Sequence, residues 1–457
     1  MQLGQTEKPI GGDLPVVEPG HTYRSVSEKI SNIVLDIRTP LGWFVAFGSG
    51  SILLMMYLIS IAYLFAYGVG VWGINIPVGW GFAIVTFVWW IGIGHAGTLI
   101  SAILFLFRQD WRTSINRFAE AMTLFAVVCA GLYPILHLGR PWLFFWLLPY
   151  PNTFGLWPQF RSALAWDVFA VSTYGTISAV FWYTGLIPDL AGMRDRAKVP
   201  LLKMVYGMLA LGWRGSSRHW HHHQALYLLL AAIATPLVVS VHTVVSFDFA
   251  IAQVPGWSTT VFPPYFVAGA IFSGFAMVVT LLVPIRKLYH IEDMITLRHF
   301  DVMGKILLTT GLVVFYGYVT EAFTGWYSGS IYELFLFMNR FTGHYAPFVY
   351  LLVFCNLVAP QLLWFRSVRT NMTLMFILSL IINTGMWLER FMIVIISLTA
   401  DYLPSSWALF IATPWDWSLL IGSIGLFIVL LFLFVRTLPM ISVFEMQELI
   451  HNTEHGH

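Results

Sequence analysis

Residues 79–107 read GWGFAIVTFVWWIGIGHAGTLISAILFLF, 29 positions with His95 as the single ionisable side chain. As a helix rising 1.5 Å per residue this run would reach about 43 Å, enough to cross a hydrocarbon core of about 30 Å. In lipid only helices and closed barrels satisfy their own backbone polar groups. The run has none of the period-two alternation of a barrel strand, so it reads as a transmembrane helix. The same reading recurs along the chain and gives ten spans: 41–68, 79–107, 118–138, 164–186, 224–246, 263–285, 305–328, 345–365, 372–398 and 416–436.

Composition agrees. Of 457 residues 58% are hydrophobic and 10% charged, whereas a soluble domain carries about 25% charged residues. The net charge of +2 leaves no basic surplus for a phosphate backbone, which argues against nucleic-acid binding. Cys129 and Cys355 both sit in apolar runs without a CxxC partner, so thiolate metal sites, iron–sulfur clusters and covalent haem attachment have no framework here. Neither a Walker loop nor a strand followed by GxGxxG occurs. No metal is expected in this chain. A quinone or a b-type haem is the only redox group it could handle, and any other belongs to a partner.

The fold class that follows is an all-α integral membrane protein of ten transmembrane helices. Orientation comes from the basic residues. The N-terminal arm, every second loop and the C-terminal tail hold 20 of the 24 Lys and Arg, the opposite loops hold three, and Arg390 lies within a span. By the positive-inside rule both termini are cytoplasmic. Residues 1–40 carry nine charges and lack the h-region of a signal peptide, and read as a cytoplasmic arm. A coarse repeat, in which helix 2 and helix 6 both end in basic residues before a charged loop, suggests two parallel four-helix bundles, helices 2–5 and 6–9. The expected division is an arm (1–40), a first helix with its outer loop (41–78), a first bundle (79–250), a second bundle (251–400), and a last helix with a tail (401–457).

Ionisable residues within spans cost about 2.5–3.5 kcal/mol each on insertion scales, so each asks for a partner or a role. Following the direction of each helix, His137, Asp167, His242 and Asp248 converge near the outer face from three helices. That kit suits quinol oxidation, which releases two electrons and two protons. A histidine titrates near neutrality, a neighbouring carboxylate orients it, and a flat apolar slot takes the ring. The adjoining loop Gly139-Arg140-Pro141-Trp142-Leu143-Phe144-Phe145-Trp146 offers aromatics at the interface, where an ordinary aromatic belt would place them too. His137 with Asp167 is also compatible with a plain interhelical hydrogen bond, and His95 with a packing role.

A second set comprises Glu321, Glu389 and Arg390, with Asn383 earlier on the last pair's helix. Glu321 is expected to partner Arg390, as a structural ion pair or as a station on a proton route. The histidine-rich stretch at 214–223 (Arg214, Arg218, His219, His221, His222, His223) reads as an interfacial basic loop facing lipid head groups or a neighbouring subunit, in preference to a metal tract.

The strings WWIGIGHAGTLISAILFLFRQDWR (89–112), LHLGRPWLFFWLLPYPN (136–152), SALAWDVFAVSTY (162–174), SVHTVVSFDFA (240–250) and PPYFVAGAIFSGFAM (263–277) resemble the NrfD/polysulfide reductase membrane-subunit family. Within it they are most similar to the two NrfD-like membrane proteins of bacterial alternative complex III, the C component more than the F component. The resemblance implies a quinol-oxidising complex in the bacterial inner membrane. Menaquinol would bind near the periplasmic face, beside an iron–sulfur subunit, and the assembly would also hold c-type haem subunits and a homologous NrfD-like membrane subunit. It puts the quinol site at His137, Asp167 and Asp248, with Tyr133, Arg140 and His242 as neighbours. It gives His95, Glu321, Glu389 and Arg390 proton-relay roles. Two other readings stay open from the residues alone: a haem-b cytochrome subunit with His137 and His242 as axial ligands, and a proton-coupled secondary transporter built on the repeat.

Overall fold

The structure is a computed structural model and describes residues 14–36, 38–148 and 161–455. Of the expected aromatic loop at 139–146 the Trp146 side chain lies outside the described residues, as do positions 149–152 of the string at 136–152. Among the described residues the regular structure is entirely helical. Ten helices are long and apolar enough to cross a membrane: α2 (Leu41–Tyr67), α3 (Gly81–Leu106), α4 (Asn116–His137), α5 (Ala163–Arg196), α7 (Ser217–Ala250), α8 (Phe262–Leu288), α9 (Leu297–Tyr327), α11 (Ala346–Trp364), α12 (Met372–Thr399) and α13 (Pro414–Thr437). The shorter helices are α1 (Tyr23–Leu35), α6 (Pro200–Leu209), α10 (Ile331–Thr342) and α14 (Val443–His455).

Burial ranks the spans. Within its most apolar window α3 is 89% buried, while α2 is 17% buried. A helix that is apolar all round is a core helix when protein surrounds it and a lipid-facing one when it does not. α3 packs on α4, α8, α7 and α12 and so is central, whereas α2 packs chiefly along α13. One group of four is α3, α4, α5 and α7, another is α8, α9, α11 and α12, and α3, α7 and α8 form the seam between them. The seam closes because small residues let backbones approach. A Cβ on Gly274 of α8 would lie 2.4 Å from the Ala96 Cβ of α3, and one on Gly97 would lie 1.9 Å from the Ala119 carbonyl oxygen of α4.

Both described ends lie on one face. α1 packs on α14, with the Tyr23 hydroxyl 2.7 Å from His451 Nδ1. On this face α5 and α7 run well past the expected ends at 186 and 224, and the reason is a buried ionic cluster. Arg117, fully buried, donates to the Gly185 carbonyl at 2.7 Å and sits 3.3 Å from Glu120 and 3.5 Å from Asp189. Arg112 pairs with Glu445 of α14 at 3.0 Å, and Asn116 donates to the same carboxylate at 2.9 Å. Arg117, a loop cation by its place between the expected spans, is thus a core residue. The histidine-rich stretch is likewise not a loop throughout: Ser217 onward is the first turns of α7, and His223 turns inward to the Thr184 carbonyl at 3.0 Å.

The close approach at Gly97 makes a firm prediction. In Gly97→Ala the added methyl has no room, and the cost should reach or exceed the ~3 kcal/mol upper end of ordinary overpacking. The expected result is a marked fall in the thermal unfolding midpoint of the detergent-purified protein. An unchanged midpoint would show that α3 and α4 do not pack this closely.

Candidate functional site

On the face opposite the termini, α5 and α7 bring Asp167 and Asp248 together. Both are buried, at 8% and 9% exposure. Their carboxyl groups interact directly, and each keeps one buried oxygen without a hydrogen-bond partner among the described residues. Unpartnered buried oxygens are expensive, and two such oxygens on facing acids mark a place where something else can donate. Around them Trp166 and Phe247 meet edge to face at 6.2 Å. The pair can accept hydrogen bonds from a hydroxyl-bearing ring and can take up a proton.

The other expected members of this site go elsewhere. His137 lies at the same rim, but its ring is parallel to Trp72 with centroids 6.1 Å apart. Among the described residues no hydrogen bond or ion pair joins it to either carboxylate, and its buried Nδ1 is unpartnered. Tyr133, one helical turn earlier on the same side of α4, donates to the Leu419 carbonyl of α13 at 3.0 Å, so it faces the outer helix pair. Arg140 is exposed at the rim, just before the turn at Pro141–Leu147.

His242 is not a rim residue. It is fully buried and lies edge-on to His95, with ring centroids 4.5 Å apart. Asp248 is six positions beyond His242, which is about 9 Å along the helix and about a third of a turn around it. His95 Nδ1 lies 2.7 Å from the Ile91 carbonyl, while His95 Nε2 and both nitrogens of His242 lack partners among the described residues. The Tyr174 ring stacks on His95 at 5.4 Å, and its hydroxyl donates to the Gly94 carbonyl at 2.9 Å.

Across the seam from His242, and separated from it by the Phe266 ring, lies a second polar group. The Arg390 guanidinium sits over the Phe266 ring, 4.4 Å from its centroid, and Phe266 borders His242 at 5.8 Å. Arg390 donates to the neighbouring Glu389 carboxylate. The Tyr318 hydroxyl donates to Glu389 Oε2 at 2.5 Å and accepts from Asn356 Nδ2 at 2.9 Å. His95, His242, Arg390, Glu389, Tyr318 and Asn356 come from α3, α7, α12, α9 and α11, and so from both groups of helices. Three wide, π-helical turns flank these residues, at Leu99–Ile103, Phe354–Val358 and Met392–Ile396. Such turns push one residue out of the regular ladder and re-aim the side chains near it.

Glu321 does not partner Arg390, contrary to the sequence-based expectation. It pairs with Arg340 of α10 at 2.7 Å. α10 falls between two expected spans, so sequence reasoning misses Arg340. It also misses Tyr318 and Asn356. The one signal for Tyr318 is its spacing from Glu321, three residues apart on one helix.

A family model described as polysulphide reductase, NrfD, matches residues 70–400, bounds that enclose α3 to α12 and leave out α2 and α13. A candidate membrane component of a dimethyl sulfoxide reductase from Halobacterium salinarum, its C subunit, is 26% identical over 243 residues, 52% of this chain and 50% of that protein. The C subunit of the selenate reductase of Mesobacillus selenatarsenatis is 22% identical over 394 residues, 82% of this chain and 88% of that protein. The chain thus spans half the length of the first relative and most of the second.

The Glu389–Arg390 pair should be unforgiving. Arg390→Leu leaves a carboxylate buried without its cation, a loss of about 3–5 kcal/mol in comparable buried pairs. The variant is expected to assemble poorly in membranes, and adding Glu389→Gln in the same chain should recover much of the folded yield. Size-exclusion profiles of both variants in detergent measure this, and normal assembly of Arg390→Leu alone would show that the pair is dispensable.

Proposed function

We propose a function from one premise: the chain belongs to the polysulphide reductase NrfD family. On this reading it is the membrane subunit of a multi-subunit oxidoreductase that exchanges electrons with a membrane quinone. It is not active alone. The two relatives are both named as C subunits of reductases, which supports a place beside redox partners that hold the metal centres. The single observation that carries the reading is the Asp167–Asp248 pair with its unpartnered oxygens.

The chemistry of that pair favours oxidation of a quinol. A quinol presents two O–H donors and a quinone presents only acceptors, while a carboxyl oxygen that carries no proton only accepts. Asp167 and Asp248 would receive hydrogen bonds from the quinol hydroxyls and then the protons as two electrons leave for an iron–sulfur cluster in a partner subunit. His137 at the rim, with its free Nδ1, is placed to pass protons outward; Arg140, exposed beside it, would draw a carboxylate-bearing partner. The basic-residue asymmetry supports cytoplasmic termini in a bacterial inner membrane, which puts this site under the periplasmic face. We extend the proposal to menaquinol and to an assembly like alternative complex III, with c-type haem subunits, an outer iron–sulfur subunit and a second NrfD-like membrane subunit. The polar groups at His95 and His242 and at Arg390 and Glu389 would serve proton movement coupled to that oxidation, with Glu321 as a separate station paired to Arg340.

The haem-b reading is less well supported. Axial ligation by His137 and His242 needs the two rings on opposite faces of one macrocycle, and His242 is instead packed against His95. A transporter reading predicts solute movement without redox partners, whereas both relatives are named as subunits of reductases.

General acid–base groups contribute about 10²–10⁴-fold to rate. Asp167→Asn and Asp248→Asn, in complexes that assemble normally, should therefore each lower quinol oxidation by about 100-fold or more. Stopped-flow reduction of the acceptor measures this. Turnover and quinol affinity equal to the parent's in both variants would remove the pair from the chemistry.

A further inference from the structure

The second group of helices carries a cavity that quinol oxidation at Asp167 and Asp248 does not use. It measures ≈ 170 Å³ and lies between α9, α10 and α11, with Phe337, Phe341 and Leu352 in its walls. Phe315 and Val319 also border it and are 44% and 51% exposed on the outer surface of α9, so it opens towards lipid. Its polar groups are Tyr318, Glu321 and Arg340.

Arg340 is the informative residue. It is 4% exposed, and it donates from Nη1 to Glu321 Oε1 at 2.7 Å. Its Nε and Nη2, both buried, have no hydrogen-bond partner among the described residues; Nη2 lies on the side of Gly256 and Ser397, away from the cavity lining. Buried guanidinium donors are normally all used, so on the cavity side Nε is the donor left for an acceptor. The Glu321–Arg340 pair is neutral overall, which favours an uncharged acceptor such as a carbonyl oxygen over a carboxylate or phosphate. The Tyr318 hydroxyl is already committed to Glu389 and Asn356. A cavity of about 150 Å³ accommodates a benzene ring; this one is larger and open towards lipid, so it takes a flat quinone ring system that can protrude into the bilayer.

We propose that this cavity binds the ring of an oxidised membrane quinone, with the Arg340 guanidinium donating to one carbonyl oxygen and the isoprenoid tail left in the bilayer past Phe315 and Val319. The inference rests on the reading that this protein works with membrane quinones and adds a second site of opposite character. At Asp167 and Asp248 the protein offers acceptors to a quinol. At Arg340 it offers a donor to a quinone.

The test uses the whole complex in quinone-depleted nanodiscs, a short-chain naphthoquinone bearing a photoreactive group, and mass spectrometry of the cross-linked peptides. The parent should label at two places, one around Asp167 or Asp248 and one within 315–322 or 337–353. Ala322→Trp fills the cavity from α9 while keeping both residues of the ion pair. It should cut labelling of the second place by at least tenfold and leave the first place and quinol turnover unchanged. Glu321→Gln combined with Arg340→Leu removes the donor without stranding a charge and should have the same effect on labelling. Labelling confined to the first place overturns the inference and leaves the proposed function standing. Displacement of the second label by oleate as readily as by unlabelled naphthoquinone also overturns it, because the cavity is then a general lipid cleft. No labelling anywhere removes the quinone reading itself, and this site with it.

Discussion

A charge inside hydrocarbon cannot be left to solvent, and this constraint organises the whole molecule. Water offers an exposed arginine or glutamate many partners, but in the bilayer the partners must be built from the chain itself. Arg390 answers with three contacts of different kinds: the Glu389 carboxylate, the face of Phe266, and through Glu389 the Tyr318 hydroxyl. Those contacts come from α8, α9 and α12, so satisfying one guanidinium fixes how three helices meet. Arg117 does the same on the termini-bearing face, tying α4 to α5 through Gly185 and Asp189.

Burying an ion pair seldom adds net stability, because desolvation offsets the attraction. A fold that needed only to stand up could have filled these positions with leucine. The polar groups from His95 to Asn356 therefore ask for a reason beyond cohesion. They comprise two facing imidazoles, a salt bridge and a phenol on that carboxylate. Of these the imidazoles and the carboxylate are groups that titrate, while the guanidinium holds its charge, and the π-helical turns beside them supply irregular backbone where side chains must be re-aimed.

How much of this is legible in the sequence depends on which coordinate a residue's position reports. Distance along a helix axis is legible, because residue number converts directly to depth at 1.5 Å per residue. That is why Asp167 and Asp248 can be brought to one rim from two helices. Rotation about the axis is not legible when a span is apolar on every side, since no polar face marks the way inward. Tyr133 and His137 share a side of α4 with each other and not with the carboxylates. His242 shares a helix with Asp248 and not a face. The ends of α5 and α7 are hidden for a different reason. Hydropathy marks where lipid stops, whereas the helices continue until Arg117, Asp189 and Glu445 have been satisfied. Arg340 is hidden because a short amphipathic helix with polar ends looks like a loop to any window long enough to find a membrane span.

The rim carboxylates and the Arg340 cavity differ in the sign of what they lack, and that difference bears on direction. Unpartnered oxygens at Asp167 and Asp248 want hydrogens; unpartnered nitrogens at Arg340 want electron pairs. Loss of two hydrogens converts a quinol from a molecule that donates at both ends to one that accepts at both ends, so its affinity shifts from sites of the first kind towards sites of the second. The protein places one of each in separate groups of helices. On the proposed reading the carboxyl groups leave the reaction protonated, so the new quinone oxygens face acceptors only once those protons have been passed on. Release of the oxidised ring would then wait on proton departure from Asp167 and Asp248.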